Sequence, residues 1–224
     1  MSPAQGRPRG ITAGYIAPFL IYVAMIALPL PPEILFPVRF VVVLAAILLL
    51  SRPYLSLKPA HTLASLAVGI AVFLLWIGPD VLFGPAYRRF WLFNNSILGH
   101  AGSSLPTAAQ RNPFFLSVRV LSSIALVPVL EELFWRGWLM RWLIHREFLK
   151  VPLGAYQAGA FWIVALLFAS EHGPYWEVGL LAGIVYNLWI IRTKNLADCI
   201  LAHSVTNLAL AIYVLTTGQW QYWL

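Results

Sequence analysis

Apolar runs recurring along the whole chain limit its fold more than any other feature. Seven stretches read as helical membrane spans, near Thr12–Leu30, Phe36–Ser51, Thr62–Phe83, Phe114–Ile144, Tyr156–His172, Tyr175–Ile191 and Leu196–Thr217. A helix rises about 1.5 Å per residue and the hydrocarbon core is about 30 Å thick, so a span needs about 20 mostly apolar residues. The second and fifth stretches are short by that measure, and the fourth overruns it. Charge content agrees. Only 10% of the 224 residues are Asp, Glu, Lys or Arg, against about 25% in a soluble domain. So few charges cannot cover a water-facing surface. The expected fold class is therefore all-α, a polytopic transmembrane helical bundle of about seven or eight spans whose solvent is the lipid bilayer.

The breaks between runs have physical causes. Pro29, Pro31 and Pro32 end the first run, because proline lacks the amide donor and clashes with the preceding turn. Gly173-Pro174 separates the fifth and sixth, and Arg192-Thr193-Lys194-Asn195 the sixth and seventh. Arg7 and Arg9 precede an apolar stretch that could imitate a secretory leader. No small-x-small site follows it, so it reads as an uncleaved first span. The longest connection, 84–112, places Tyr87, Phe90, Trp91 and Phe93 beside Arg88 and Arg89. That mixture predicts an interfacial helix or a re-entrant segment. Within it, Asn94-Asn95-Ser96 reads as a chance sequon. Two parts are expected: residues 1–113 as N-terminal helices and connection, and residues 114–224 as a C-terminal helical core.

The net charge of +7 sits in short segments between apolar runs. This is how orientation is encoded in a membrane protein, and it argues against a nucleic-acid partner. With the N-terminus inside, the inner segments hold Arg7, Arg9, Arg52, Lys58, Arg141, Arg146, Lys150, Arg192 and Lys194, and the outer ones Arg39, Arg88, Arg89 and Arg111. The expectation is an integral multi-pass protein of the plasma (inner) membrane with a cytoplasmic N-terminus. Cys199, the single cysteine, reads as a packing residue. Gly179 and Gly183 read as a small-xxx-small contact between helices.

A charge at the bilayer centre costs about 2.5–3.5 kcal/mol even on insertion-based scales. Arg119, Glu131, Glu132, Arg136, His172, Asp198 and His203 nevertheless fall within the spans, with Asn207 as a polar companion. Glu132 and Arg136 are four apart and share a helix face, so they can pair. Glu131 has Trp135 at the matching position and no such partner. An uncompensated buried carboxylate suits a general base, and the competing reading is an arginine on another helix. His203 and Asn207 are also four apart, either as polar glue between helices or as paired donors to an oxyanion. Depths agree within side-chain reach and some tilt, but not tightly. Glu131 lies about 21 Å from the helix end near His145, His172 about 22 Å from Gln157, and His203 about 12 Å from Asn195. His172 falls toward the outer face.

Glu-Glu-x-x-x-Arg (Glu131, Glu132, Arg136), Phe-x-x-x-His (Phe168, His172) and His-x-x-x-Asn (His203, Asn207) follow one another on apolar runs. Together, over about Val118–Val214, they resemble the CAAX protease and bacteriocin-processing family, relatives of the Ras-converting CAAX endopeptidase. The resemblance implies a four-helix core enclosing a cavity, and hydrolysis of a peptide bond near the C-terminus of a membrane-associated protein or peptide, prenylated or not. It implies that Glu131 and His172 activate water, that His203 and Asn207 stabilise the oxyanion, and that Glu132, Arg136 and Phe168 support the site. Glutamate and two histidines are zinc-capable donors. The resemblance implies glutamate dependence, and there is no His-Glu-x-x-His, so no cofactor is expected. Two other classes stay open: a non-catalytic immunity or scaffold protein that binds a peptide in the same cavity, and a transporter. The transporter would call for repeat symmetry that the sequence lacks.

Overall fold

The computed structural model describes residues 10–84, 86–95, 97, 99–103 and 105–223. Arg7, Arg9 and the Ser96 of the sequon lie outside them. The long helices are α1 (Ile11–Ile26), α2 (Pro32–Tyr54), α3 (Thr62–Phe83), α4 (Pro113–Ile144), α5 (Ala158–Ser170), α6 (Trp176–Thr193) and α7 (Leu196–Thr217). These are the seven expected elements, and no strand is found among the described residues. Helices α2, α3, α4 and α7 are long and apolar enough to cross a membrane. Leu49, Leu63 and Leu82 are 79%, 82% and 77% exposed. Apolar side chains that bare on several helices fit lipid, not water.

The boundaries differ from expectation where proline is concerned. Helix α2 begins at Pro32, not Phe36. Proline suits the first helical turn, where its missing N–H has no partner anyway. The second span is therefore 23 residues long, not short. The connection after α3 is a further correction. It is neither an interfacial helix nor a further span: its helical content among the described residues is a 3₁₀ turn at Tyr87–Arg89 and a single turn at Thr107–Gln110. Arg88 holds this connection down. Its Nε donates to Asp80 (2.7 Å), its Nη1 to the Pro174 carbonyl (2.9 Å), and it pairs with Glu177.

The helices alternate in direction. At one end Asn195 Nδ2 donates to the Lys58 carbonyl (3.1 Å), and Arg141 Nε to the Val151 carbonyl (2.7 Å). At the other end Arg88 reaches Pro174, and Trp176 Nε1 donates to the Leu92 carbonyl (3.0 Å). Segments grouped by the charge pattern thus meet in space. Asp198, a span charge without a stated purpose, is accounted for at the first end. Its carboxylate accepts from the His61 amide (2.9 Å) and Ser65 Oγ (3.2 Å), and lies 3.1 Å from His61 Nδ1. It therefore ties the start of α3 to α7.

Helices α3 and α7 cross closely at Gly69, where a Cβ would stand 2.4 Å from the Ala202 carbonyl oxygen. Thr206 Oγ1 donates across this crossing to the Gly69 carbonyl (2.8 Å). The buried apolar residues form two clusters, the smaller gathering Phe115, Tyr175 and Val214, the larger spanning most of the bundle. The larger joins Tyr15, Phe19, Val43 and Val72 to Leu130, Phe168, Tyr186 and Ala202.

Candidate active site

The site begins with a distortion in α4. Between Ser122 and Leu126 the helix widens, and the Val127 amide bonds back five residues to the Ser122 carbonyl. The next amide in that pattern would serve the Ser123 carbonyl, but residue 128 is proline and has no N–H. Asn207 on α7 supplies the missing donor, its Nδ2 lying 2.7 Å from the Ser123 oxygen. A second wide turn covers Leu133–Leu139. Such bulges recur at functional sites, since they re-aim the side chains between them. Between these two lie Glu131 and Glu132.

Glu132 is fully buried, and its Oε1 is 3.1 Å from Arg136 Nη1 and 3.0 Å from His203 Nδ1. The spacing predicted the first contact; the second joins α4 to α7. Arg136 goes further. Its Nε donates to Asn187 Oδ1 (2.9 Å), and its Nη2 to the Gly183 carbonyl (3.3 Å), both on α6. Its guanidinium also lies 4.7 Å from the centre of the Phe168 ring on α5. Asn187 in turn donates to the Phe161 carbonyl (2.9 Å). The Glu132–Arg136 pair thus fixes the relation of four helices, Arg136 reaching α5 and α6 and Glu132 reaching α7.

The two histidines are held by the same nitrogen. His172 Nδ1 is 2.8 Å from the Phe168 carbonyl, which can only accept, so Nδ1 carries the hydrogen and Nε2 keeps its lone pair. His203 directs Nδ1 to Glu132, and its ring stacks on Tyr186 (5.1 Å between centres). Gly179 makes room for His172: a Cβ there would lie 3.0 Å from His172 Nδ1. The small-residue contact expected from Gly179 and Gly183 is present, and it is directed at site residues.

A cavity of about 250 Å³ is lined by Glu131, His172, His203 and Asn207 together. Of the expected residues, Glu132 and Arg136 stand behind this wall and Phe168 forms part of it. His172, just beyond the end of α5, still reaches the cavity. Glu131 Oε2 is buried and accepts no hydrogen bond among the described residues. Sequence reasoning missed Tyr22, Phe36 and Trp76, which line the cavity from α1, α2 and α3. Single aromatics in apolar runs carry no signal that separates a cavity wall from a lipid-facing belt. It also passed over Glu171, another lining residue. Among the described residues, no three His, Cys, Asp or Glu side chains are grouped so as to hold a metal ion.

Residues 113–209 match the family model described as Type II CAAX prenyl endopeptidase Rce1-like. No curated protein and no solved structure matches the chain. The matched segment begins at the start of α4 and ends within α7, so it contains every motif residue named above.

Proposed function

From the match of residues 113–209 to the model described as Type II CAAX prenyl endopeptidase Rce1-like, we propose that this chain is an intramembrane endopeptidase. It hydrolyses a peptide bond near the C-terminus of a membrane-associated protein or peptide, prenylated or not. The observation that carries this reading is a single cavity lined by Glu131, His172, His203 and Asn207. The site residues lie within 114–224, while 1–113 contributes the remaining walls.

In the mechanism we propose, a water molecule sits between the Glu131 carboxylate and the free Nε2 of His172. Glu131 takes one proton as the water oxygen attacks the carbonyl carbon. The carbonyl oxygen becomes an oxyanion. His203, held at Nδ1 by the Glu132 carboxylate, is placed to donate from its other ring nitrogen to the oxyanion. Asn207 spends one amide hydrogen on Ser123 and keeps a second for the same task. Glu131 then returns its proton to the departing amine as the carbon–nitrogen bond breaks. The products are a new C-terminal carboxylate and a free amine. Glu132 and Arg136 hold the frame and touch no substrate. That no three His, Cys, Asp or Glu side chains group to hold a metal among the described residues supports a metal-free reading, and no step runs through a metal.

The test is a peptidase assay on detergent-purified protein with farnesylated and plain peptides, with and without chelator, beside Glu131→Gln. Cleavage that survives chelator and is lost in the variant is expected. Cleavage abolished by chelator would overturn the metal-free reading. Cleavage of no peptide would favour the non-catalytic binding role. The charge bias supports a cytoplasmic N-terminus in the plasma (inner) membrane. The one cysteine, Cys199, is buried, so an impermeant maleimide should label Ser103→Cys in intact cells and spare Lys58→Cys; the reverse pattern would invert the topology.

A further inference from the structure

We propose that a second cavity, at the Arg88 end of the bundle, binds the peptide backbone next to the site of cleavage; this deepens, and rests on, the peptidase reading above. The cavity has a volume of about 530 Å³ and is lined by Asp80, Arg88, Arg89, His100, Gln219 and Gln221. That size lies in the usual range for a ligand pocket. It shares Tyr175 and Tyr222 with the catalytic cavity. The centres of their rings lie 5.5 Å apart. Tyr175 ends the 3₁₀ turn Gly173–Tyr175, and its amide donates to the His172 carbonyl (2.9 Å). The second cavity therefore adjoins the first at its histidine.

Two buried donors in this wall have nothing to bond. Arg88 is 8% exposed and Tyr175 2%, yet Arg88 Nη2 and Tyr175 Oη have no hydrogen-bond partner among the described residues. Buried polar groups are almost always paired, and leaving one unpaired is costly. The two residues hold each other in place, the Arg88 guanidinium lying 4.2 Å from the centre of the Tyr175 ring. What both lack is an acceptor. A free anion gains little here, because Asp80 and Glu177 already balance the Arg88 charge. An uncharged carbonyl gains the hydrogen bonds and brings no charge to oppose Asp80. Gln221 Nε2 donates to Gln219 Oε1 (2.5 Å), which leaves the Gln219 amide hydrogens and the Gln221 carbonyl for a ligand. A peptide backbone offers an N–H and a C=O at nearly every residue, and it fits this mixture of donors and acceptors. A cavity of that volume is about 8 Å across, room for two or three extended residues at about 3.3 Å each. The protein should therefore prefer peptides that run past the cleaved bond by that much, whatever their side chains.

The experiment uses labelled peptides that share one core around the cleaved bond. Each is lengthened by one to five Gly or Ser residues at one end or the other, which adds backbone with little side chain. Cleavage is measured with the wild type and Tyr175→Phe, and Kd with Glu131→Gln alone and combined with Tyr175→Phe. Tyr175→Phe removes only the unpartnered hydroxyl and keeps the ring. Lengthening at one end should raise kcat/KM of the wild type at least about tenfold, mainly through KM, as two or three hydrogen bonds form. The gain should level off after two or three residues. Tyr175→Phe should cut it at least about threefold, the contribution of one hydrogen bond. A wild type that gains nothing from added backbone at either end overturns the proposal and leaves the peptidase reading standing, and this comparison needs no variant to fold. A Tyr175→Phe protein that keeps the full gain also overturns it. If no peptide is cleaved, tighter binding of the longer peptides that Tyr175→Phe weakens supports the second cavity and counts against the peptidase reading instead. Equal binding of every length overturns the second cavity as well.

Discussion

Glu131 and Glu132 are neighbours in the chain with different surroundings. Glu132 is closed in by Arg136 and His203, whereas Glu131 faces the cavity; each keeps one buried oxygen unpartnered among the described residues. The sequence carried half of this difference, because a four-residue spacing pairs Glu132 with Arg136 and leaves Glu131 opposite a tryptophan. It could not carry the contacts to His203, Asn187 and the Gly183 carbonyl, which join residues 47 to 71 positions apart. Gly179 is similar: its spacing to Gly183 indicated close packing, but not that the packed group is His172. Gly179→Ala should push the His172 ring aside, since an added Cβ would meet Nδ1 at 3.0 Å. A displacement on the order of 1 Å can cost about a hundredfold in rate. Activity should fall at least tenfold with little change in melting temperature; unchanged activity would show that His172 need not stay where it is.

At the scale of elements, hydropathy located all seven helices, because lipid requires long apolar segments that satisfy their own backbone. Proline misled it in one place, where a residue counted as a breaker opens α2 at its first turn. The widened turns of α4 were not legible, since nothing in an apolar run marks which amide will bond five residues back. Pro128 was visible, but its consequence depends on Asn207, 79 positions later. Pro128→Ala restores an N–H that can serve the Ser123 carbonyl and release Asn207. The variant should melt at the same temperature or higher and lose at least tenfold in activity. A fully active protein would mean that the Asn207–Ser123 contact has no bearing on catalysis.

At the scale of the whole molecule, the chain alternates through the bundle and gathers its polar contacts at the two ends and in one cavity between them. Asp198 belongs to an end, not to the cavity. Asp198→Ala removes the acceptor for the His61 amide and Ser65 Oγ inside a buried site. It should therefore destabilise by about 1–3 kcal/mol, read in detergent melting, while leaving kcat/KM of the folded fraction close to wild type. A large loss of activity without loss of stability would place Asp198 in the chemistry. The motif residues were legible as a set because each sits where charge is expensive. The walls from α1 to α3 were not, because an aromatic facing a cavity and one facing lipid look alike in sequence. The central claim is that Glu131 serves as the base. Cleavage rates of wild type and Glu131→Gln, compared at matched melting temperature, test it most directly. A loss of at least about a hundredfold is expected, the usual contribution of a positioned base; comparable rates would mean that water is activated by some other group.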